Sequence, residues 1–223
     1  MKPIAYIETD FSEKFGIPRQ GGIIPGLRGR IVFLPEYRTS DALRGIEGFS
    51  HLWLLWEFSE AKTERFSPTV RPPRLGGNTR MGVFATRSPY RPNPIGLSCV
   101  RLVSVDHDGK DAPTLTVEGA DLLNGTPIYD IKPYLPYVDA HPEATAGFAG
   151  EVEEDRLSVD FPPDLLAVLP ARLRESAPLL LRHDPRPSYQ DDPARIYGMP
   201  YGGYDIRFRV ENGLLTVVAV EPL

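Results

Sequence analysis

The chain has 223 residues, with 30 acidic and 25 basic side chains and 41% hydrophobic residues, which excludes a disordered protein and allows one main domain with a small appendage. No apolar run approaches the roughly 20 residues that span a bilayer, and the first ten residues become acidic too early for a signal peptide. Cys99 is the single cysteine, so that an intramolecular disulfide is excluded and a cytoplasmic protein without a membrane segment is expected.

Short β-rich segments bounded by Gly, Pro or Asp dominate the first 140 residues. The predicted strands are Ile4–Glu8, Arg30–Leu34, His51–Phe58, Met81–Thr86, Leu97–Val105 and Thr114–Gly119. His51–Phe58 is apolar at almost every position and predicts a strand buried on both faces, whereas Asp41–Gly45 predicts a short helix. Several short strands with few helices are typical of a closed or nearly closed β-barrel.

The last third of the chain predicts a small α+β domain. Small and acidic residues near 139–150 indicate a boundary, so that 1–140 is assigned to the barrel and 141–223 to the C-terminal domain. Pro163–Leu169 and Ala171–Leu181 have helical spacing that is interrupted at Pro170. Asn212-Gly213 between Tyr204–Val210 and Leu214–Val220 predicts a β-hairpin. The predicted fold is therefore mainly β.

Basic residues are concentrated in one stretch of this acidic chain. Between Lys62 and Arg101 there are eight basic residues, seven of them arginines, and Glu64 is the single acid. A planar guanidinium binds phosphate bidentately and stacks on bases, so the stretch could form a local phosphate-binding face. A solvated loop without a binding role is the alternative.

Several common chemistries lack their motifs. There is no Walker A loop, no GxGxxG after a strand and no HExxH. The four histidines have no metal-ligand spacing, and Ser88 and Ser98 lack the GxSxG context of a hydrolase nucleophile. We therefore expect neither a metal site nor a serine hydrolase.

Three segments are difficult to explain as scaffold. These are Pro18-Arg19-Gln20 in a glycine-flanked loop, the proline-braced segment 82–98, and the segment 121–134. In the last of these, Asp130 and Lys132 are two residues apart and share one face of an extended chain. They could form an acid–base pair or an ordinary surface salt bridge.

Five segments of the chain resemble, in order, the signature blocks of the TsaA/TrmO-like family. They are PRQ, GFSHLWLLWEF, GVFATRSPYRPNPIGLS, DLLNGTPIYDIKPY and, at 184–189, DPRPSY. The resemblance spans nearly the whole chain. It implies a TsaA-like β-barrel methyltransferase that uses S-adenosylmethionine to methylate N6 of threonylcarbamoyladenosine at position 37 of tRNA, beside the anticodon. It also implies a homodimer.

The same resemblance assigns a set of cofactor-binding residues. They are Pro18, Arg19, Gln20, Phe58, Ser59, Arg87, Leu97, Asp121, Leu122, Leu123 and Asn124. Two of them depart from the family pattern, because many relatives have histidine at the position of Ser59 and often aspartate at that of Asn124. The second exchange preserves a turn but removes a possible charge.

Catalytic and substrate-binding residues follow from the chemistry that the resemblance implies. The target nitrogen is ureido-like and must lose its proton, so a general base is useful. The candidate for this base is Asp130, positioned by Lys132. Asn93 would hydrogen-bond the edge of the target nucleobase. Tyr90 or Arg91 would stack on or clamp the splayed anticodon-loop base. Arg186 and Tyr189 would recruit tRNA from the C-terminal domain. Alternatively, Tyr90, Arg91 and Asn93 merely stabilise the proline-rich loop.

Two other functions remain open from the sequence. A non-catalytic β-barrel RNA-binding module would also use a basic stretch with aromatic side chains. A small-molecule methyltransferase could use the same barrel, although the arginine-rich stretch favours a polyanionic substrate.

Overall fold

The computed structural model describes the whole chain except residues 19, 62–64, 73–74, 76–77, 151–156 and 187–191. In chain order its first eight strands are β1 (Ala5–Thr9), β2 (Arg28–Phe33), β3 (His51–Glu57), β4 (Thr69–Val70), β5 (Met81–Gly82), β6 (Ile95–Asp106), β7 (Thr114–Glu118) and β8 (Thr126–Pro133). Six of them close into an antiparallel barrel in the order β1-β2-β7-β6-β3-β8, while β4 and β5 form a separate two-stranded ribbon. The mainly β fold with a barrel is confirmed.

The inward faces of the barrel strands form its core. In β3, Leu52, Leu54 and Trp56 are buried inside the barrel, and the residues between them are half-buried on the outer surface. The prediction that this strand is buried on both faces is therefore wrong. A barrel strand has one inward face, and the additional apolar side chains, Trp53 and Leu55, lie on the outside.

Two register shifts interrupt the regular alternation of inward and outward residues in the barrel. The pairing of β6 with β7 shifts between Leu102 and Ser104, which leaves Val103 as an extra residue. A second shift between β3 and β8 leaves Tyr129 as an extra residue. Beyond it, Ile131 packs against the barrel core, so that its neighbours Asp130 and Lys132 lie on the outer face.

Two predicted elements before β6 differ from those in the structure. Met81–Thr86 is not one strand, because β5 has only the two-residue partner β4 and the chain then enters a 3₁₀ turn at Val83–Ala85. Val83 is 1% exposed, so this turn anchors the loop. The predicted helix at Asp41–Gly45 is a 3₁₀ turn at Ser40–Leu43.

The C-terminal part combines short helices with a four-stranded sheet. After α1 (Pro136–Asp139) come β9 (Ser158–Asp160), α2 (Pro163–Val168), α3 (Ser176–Arg182), β10 (Tyr197–Tyr201), β11 (Tyr204–Glu211) and β12 (Leu214–Pro222). The sheet order is β10-β11-β12-β9. Asn212 and Gly213 have φ of 49° and 77° and connect the hairpin that the sequence predicts. The helix predicted at Ala171–Leu181 is divided into a 3₁₀ turn and α3. In the described part of the chain, no helix is long and apolar enough to cross a membrane.

The described residues form two hydrophobic cores, and the second is shared between distant parts of the chain. One core fills the barrel. The other packs α2, α3 and the C-terminal sheet against Phe11, Ile24 and Leu27, which belong to the β1–β2 loop. Arg172 Nη1 also pairs with Asp10 Oδ2 at 2.5 Å. The β1–β2 loop is therefore held by the C-terminal part of the chain.

Candidate functional site

Three connections leave the same end of the barrel. Because neighbouring strands are antiparallel, β1, β3 and β7 finish at the end where β2, β6 and β8 begin. The loop 10–27, the long connection 58–94 and the loop 119–125 therefore lie together at this rim. Arg19 is outside the described residues. The other predicted cofactor residues belong to these loops, except Leu97, which is the third residue of β6.

Gln20, Arg87 and Asp121 link the three loops. Arg87 Nη1 donates a hydrogen bond of 2.5 Å to Gln20 Oε1, joining the first loop to the second. The charge of Arg87 also acts on the carboxylate of Asp121, where it opposes the increase in pKa that burial causes. Gly22 N donates to Gly119 O at 3.0 Å. The structure thus brings together Gln20, Arg87 and Asp121, which lie far apart in sequence.

Asp121 is a largely buried carboxylate held from inside the barrel. Its Oδ1 accepts a 2.7 Å hydrogen bond from Ser98 Oγ, and Ser98 Oγ accepts one of 3.0 Å from Trp56 Nε1. Burial raises the pKa of Asp121 above its usual value, while the Ser98 hydrogen bond and the Arg87 charge oppose this. A desolvated carboxylate at a rim is suited to bind a cationic ligand group.

The turn from Asp121 to Asn124 is fixed by contacts with β1. Leu122 is buried in the barrel core. Asn124 Oδ1 accepts a hydrogen bond of 3.0 Å from Thr9 N, and Asn124 N donates to Phe11 O at 2.8 Å. A carboxylate oxygen could accept the same bond from Thr9, so the Asn124 exchange preserves the turn. Leu123 O accepts from Thr126 Oγ1 at 2.7 Å and completes it.

The other rim residues provide apolar and exposed polar surface. The ring of Phe58 packs at 4.3 Å from that of Trp56, measured between centroids. Ser59 is exposed and follows it directly, with Ser59 N donating to Glu57 O. Pro18 is half-buried beside Ile17, which packs against the C-terminal core.

Leu97 lies on the outer surface of the barrel rather than inside it. Its partner across the sheet is Leu55, whose partner on the other side is Asp130, so the three form one outer row. Adjacent strands are about 4.8 Å apart, which places Asp130 roughly 10 Å from Leu97. A ligand that touches both Leu97 and Asp121 must cross the rim.

Asp130 and Lys132 form an ion pair on this outer face. Lys132 Nζ lies 2.9 Å from Asp130 Oδ2, and the other carboxylate oxygen accepts from Ile131 N at 2.9 Å. Both side chains are substantially exposed. The shared face predicted from their spacing is present as a surface salt bridge, and the catalytic role stays a prediction.

The proline-braced loop contains Tyr90, Arg91 and Asn93. Arg91 Nη1 donates to the carbonyl oxygens of Thr86 and Ser88 at 2.9 and 3.4 Å, so it stabilises the loop. Tyr90 and Asn93 are exposed. Of the three candidate side chains in this loop, Tyr90 and Asn93 are therefore accessible, and Arg91 braces the backbone.

Arg186 is held within the C-terminal domain. Its Nε and Nη2 donate to the two carboxylate oxygens of Asp184, each at 2.9 Å, and the side chain is 11% exposed. Its guanidinium lies 6.0 Å from the ring centroid of Tyr197. Contact of Arg186 with tRNA stays a prediction, and Tyr189 lies outside the described residues.

Trp56, Ser98 and Gly96 belong to the site, although the sequence analysis assigns them no role in it. From the sequence, Ser98 is considered only as a hydrolase nucleophile and rejected. A polar residue at an inward position between Gly96 and Val100 could have indicated a buried partner. Gly96 is required because a Cβ at this position would overlap the indole ring of Trp56. These three residues support Asp121 from below.

The chain is similar to known proteins over nearly its whole length. The model of the tRNA-methyltransferase O N-terminal domain matches residues 6–140, and that of the TrmO C-terminal domain matches 154–223. A tRNA (adenine(37)-N6)-methyltransferase of Escherichia coli K12 is 40% identical over 227 residues, covering 98% of this chain and 96% of that protein. A protein of the same name from Eikenella corrodens is 46% identical over 173 residues, covering 77% and 97%. The crystal structure of TrmO from Pseudomonas aeruginosa superposes with a TM-score of 0.76 at 35% identity, covering 98% of this chain and 96% of that one.

Proposed function

Because the chain belongs to the tRNA-methyltransferase O family, we propose that it transfers a methyl group from S-adenosylmethionine to N6 of adenine 37 in tRNA. The observation that carries this proposal is the linked cluster of Gln20, Arg87 and Asp121 at the barrel rim. It occupies positions that the family resemblance assigns to the cofactor. The Escherichia coli relative, which is matched over nearly its full length, carries the same activity in its name.

The donor set at the rim fits S-adenosylmethionine. The cofactor has a sulfonium cation and an amino-acid carboxylate, and it supplies an electrophilic methyl group when bound. Arg87 is exposed and can pair with the carboxylate, whereas the half-buried Asp121 can favour the cation. Trp56 and Phe58 form an apolar wall beside them. This chemistry requires no metal ligand.

The contribution of the protein to methyl transfer is alignment and exclusion of water. An in-line displacement needs the acceptor nitrogen, the methyl carbon and the sulfur held in order. The turn 121–124 is fixed by backbone contacts with β1, and Asp121 is fixed by Ser98, so both are preorganised. Such a site loses little energy to rearrangement during the reaction.

The finer proposal is that the substrate is threonylcarbamoyladenosine and that Asp130 is the general base. The delocalised lone pair of its N6 makes proton removal necessary. Asp130 shares the outer row with Leu97, and Lys132 fixes its carboxylate at 2.9 Å. Asn93, exposed on the loop before β6, would hydrogen-bond the edge of the base.

Substrate RNA would be held by the proline-braced loop and by the C-terminal domain. Tyr90 is exposed and could stack on the base, while the guanidinium of Arg91 adds charge near it. Arg186 and Tyr189 are the candidates in the C-terminal domain. We expect this activity in the cytoplasm, where tRNA is modified.

A homodimer is the proposed assembly. On the outer face of β3 and β6, Ile95 and Leu97 are exposed and Trp53 and Leu55 are covered only in part by the protomer. A second copy would cover them and enclose the cofactor near Leu97. Light scattering of an Ile95→Glu variant should show a monomer, and an unchanged dimer would exclude this face.

Transfer of labelled methyl from S-adenosylmethionine to tRNA tests the proposed function. The wild-type protein should label tRNA, and Arg87→Ala should lower cofactor affinity at least about tenfold, because a charge-assisted pair contributes roughly 1.5–3 kcal/mol. Absence of binding heat with S-adenosylmethionine would instead favour a non-catalytic RNA-binding module. Labelling of small molecules but not of tRNA would favour the small-molecule methyltransferase.

A further inference from the structure

Two phenylalanines lie side by side on the surface next to the β4–β5 ribbon. The rings of Phe66 and Phe84 are nearly parallel, with an interplanar angle of 25° and centroids 6.3 Å apart. They are 56% and 73% exposed. Val83 N donates to Pro68 O at 3.0 Å, which extends the pairing of the ribbon towards them. Neither ring belongs to a hydrophobic core of the protein.

The chain segment that carries this aromatic pair is positively charged. From Arg65 to Arg91 the chain has six arginines and no acidic residue. Arg65, Arg71 and Arg80 are exposed, and within the described residues none of the three is in a salt bridge. Val70 pairs with Met81, so Arg71 and Arg80 emerge together at the far end of the ribbon.

We propose that Phe66 and Phe84 form a stacking platform for an unpaired base of the RNA substrate, with Arg71 and Arg80 contacting its phosphates. Single-stranded RNA combines exposed planar rings with a dense negative charge, and it is bound by aromatic side chains within a basic groove. A protein partner would match the exposed rings but would not require a chain segment free of acidic residues around them. This inference rests on the proposed tRNA substrate.

The platform is directly connected to the proposed cofactor cluster. Phe84 lies in the 3₁₀ turn Val83–Ala85, and Arg87 follows it by three residues. Thr86 Oγ1 donates to Val83 O at 2.9 Å and stiffens this connection. Because Arg87 binds Gln20, a base on the platform would lie next to the site of methylation rather than on a remote surface. A neighbour of the target base in the anticodon loop is therefore the expected occupant.

Replacement of Phe84 with residues of different ring character tests the platform. Binding of an anticodon stem-loop RNA, measured by fluorescence anisotropy at several salt concentrations, should weaken about 5- to 100-fold for Phe84→Ala with an unchanged salt slope. Phe84→Trp should retain affinity, whereas Phe84→Leu, which is apolar but has no ring, should behave like the alanine variant. Arg71→Ala should instead reduce the magnitude of the salt slope by about 1.

Control measurements distinguish base stacking on the platform from a loss of folding, of cofactor binding or of exposed aromatic surface in general. Tyr137→Ala removes an exposed aromatic ring elsewhere and should leave RNA affinity unchanged. Cofactor affinity and melting temperature should not change for Phe84→Ala, and Phe66→Ala should reproduce its RNA defect. Equal RNA binding by wild type and Phe84→Ala, full retention by Phe84→Leu, or a changed oligomeric state would overturn the platform. Wild-type methylation of tRNA that persists in Phe84→Ala with unchanged KM would remove the platform and leave the proposed function intact.

Discussion

Gly16 lies in the β1–β2 loop, where this loop meets the hydrophobic core of α2, α3 and the C-terminal sheet. It occupies the third position of a turn in which Ile17 N donates to Lys14 O at 3.3 Å, and its φ is +90°. A Cβ at this position would lie 2.6 Å from Met199 Sδ and 2.7 Å from Met199 Cγ. Met199 is fully buried in the core that α3 and the C-terminal sheet share. Gly16→Ala therefore disturbs a contact that holds the loop with Gln20.

The expected cost of Gly16→Ala has two parts. Placing a non-glycine residue at positive φ costs about 1–2 kcal/mol, and inserting a methyl group into a packed core costs about 1–3 kcal/mol. The free energy of unfolding should thus fall by about 2–5 kcal/mol. Because Ile17 and Gln20 follow directly, any displacement of the turn should also weaken the Gln20–Arg87 contact and cofactor binding.

Gly26→Ala is the matched control for this prediction. Gly26 lies in the same loop with φ of +79°, but its Cβ would have no neighbour within 4 Å. Urea denaturation should show only the backbone cost of about 1–2 kcal/mol for Gly26→Ala, and calorimetry should show unchanged affinity for S-adenosylmethionine. Equal losses of stability and affinity in the two variants would refute the coupling of the loop to the C-terminal core.

Three further substitutions test the rim and the outer row. Burial raises the pKa of Asp121, so the contribution of this carboxyl group to stability is present at low pH and is lost as the pH rises through that pKa. In denaturation curves, Asp121→Asn should abolish this pH dependence and keep the stability at pH 7. The same variant should reduce cofactor affinity. Gly96→Ala should lower the free energy of unfolding by about 1–3 kcal/mol through overlap with Trp56, whereas Gly82→Ala, with open space around it, should stay within about 0.5 kcal/mol. Asp130→Asn should slow single-turnover methylation about 10²- to 10⁴-fold with the cofactor still bound, and a full rate would exclude Asp130 as the base.

The barrel could be predicted because local patterns determine it. Turn residues delimit β1, β2 and β7, and the Asn212-Gly213 hairpin follows from the positive φ that only such residues adopt easily. In the sequence, the apolar residues from Val100 to Val105 alternate only in part. The cause is a bulge against β7, which depends on a partner strand that no local pattern identifies. Local sequence also does not show which face of β3 points outwards. The apolar residues Trp53 and Leu55 on that face therefore led to the prediction of a strand buried on both faces.

Long-range contacts were not predictable from local sequence. Phe11, Ile24 and Leu27 are ordinary apolar residues in a loop, and nothing in their spacing indicates that they belong to a core more than 130 residues away. The assignment of the first 140 residues to one barrel domain does not describe this packing. Support of Asp121 by Ser98 and Trp56 likewise joins three elements, and the pairing of Phe66 with Phe84 appears only when the ribbon is formed.

Nucleoside mass spectrometry of tRNA is the most direct measurement of the central proposal, that this rim aims a methyl group from S-adenosylmethionine at an anticodon-loop adenine. Incubation of tRNA carrying threonylcarbamoyladenosine with wild-type protein and cofactor should convert that nucleoside to a form heavier by one methylene unit, and fragmentation should locate the new methyl on N6 at position 37. Arg87→Ala should reduce the conversion in parallel with its cofactor affinity. An unaltered nucleoside in the presence of folded, cofactor-bound protein would contradict the proposal.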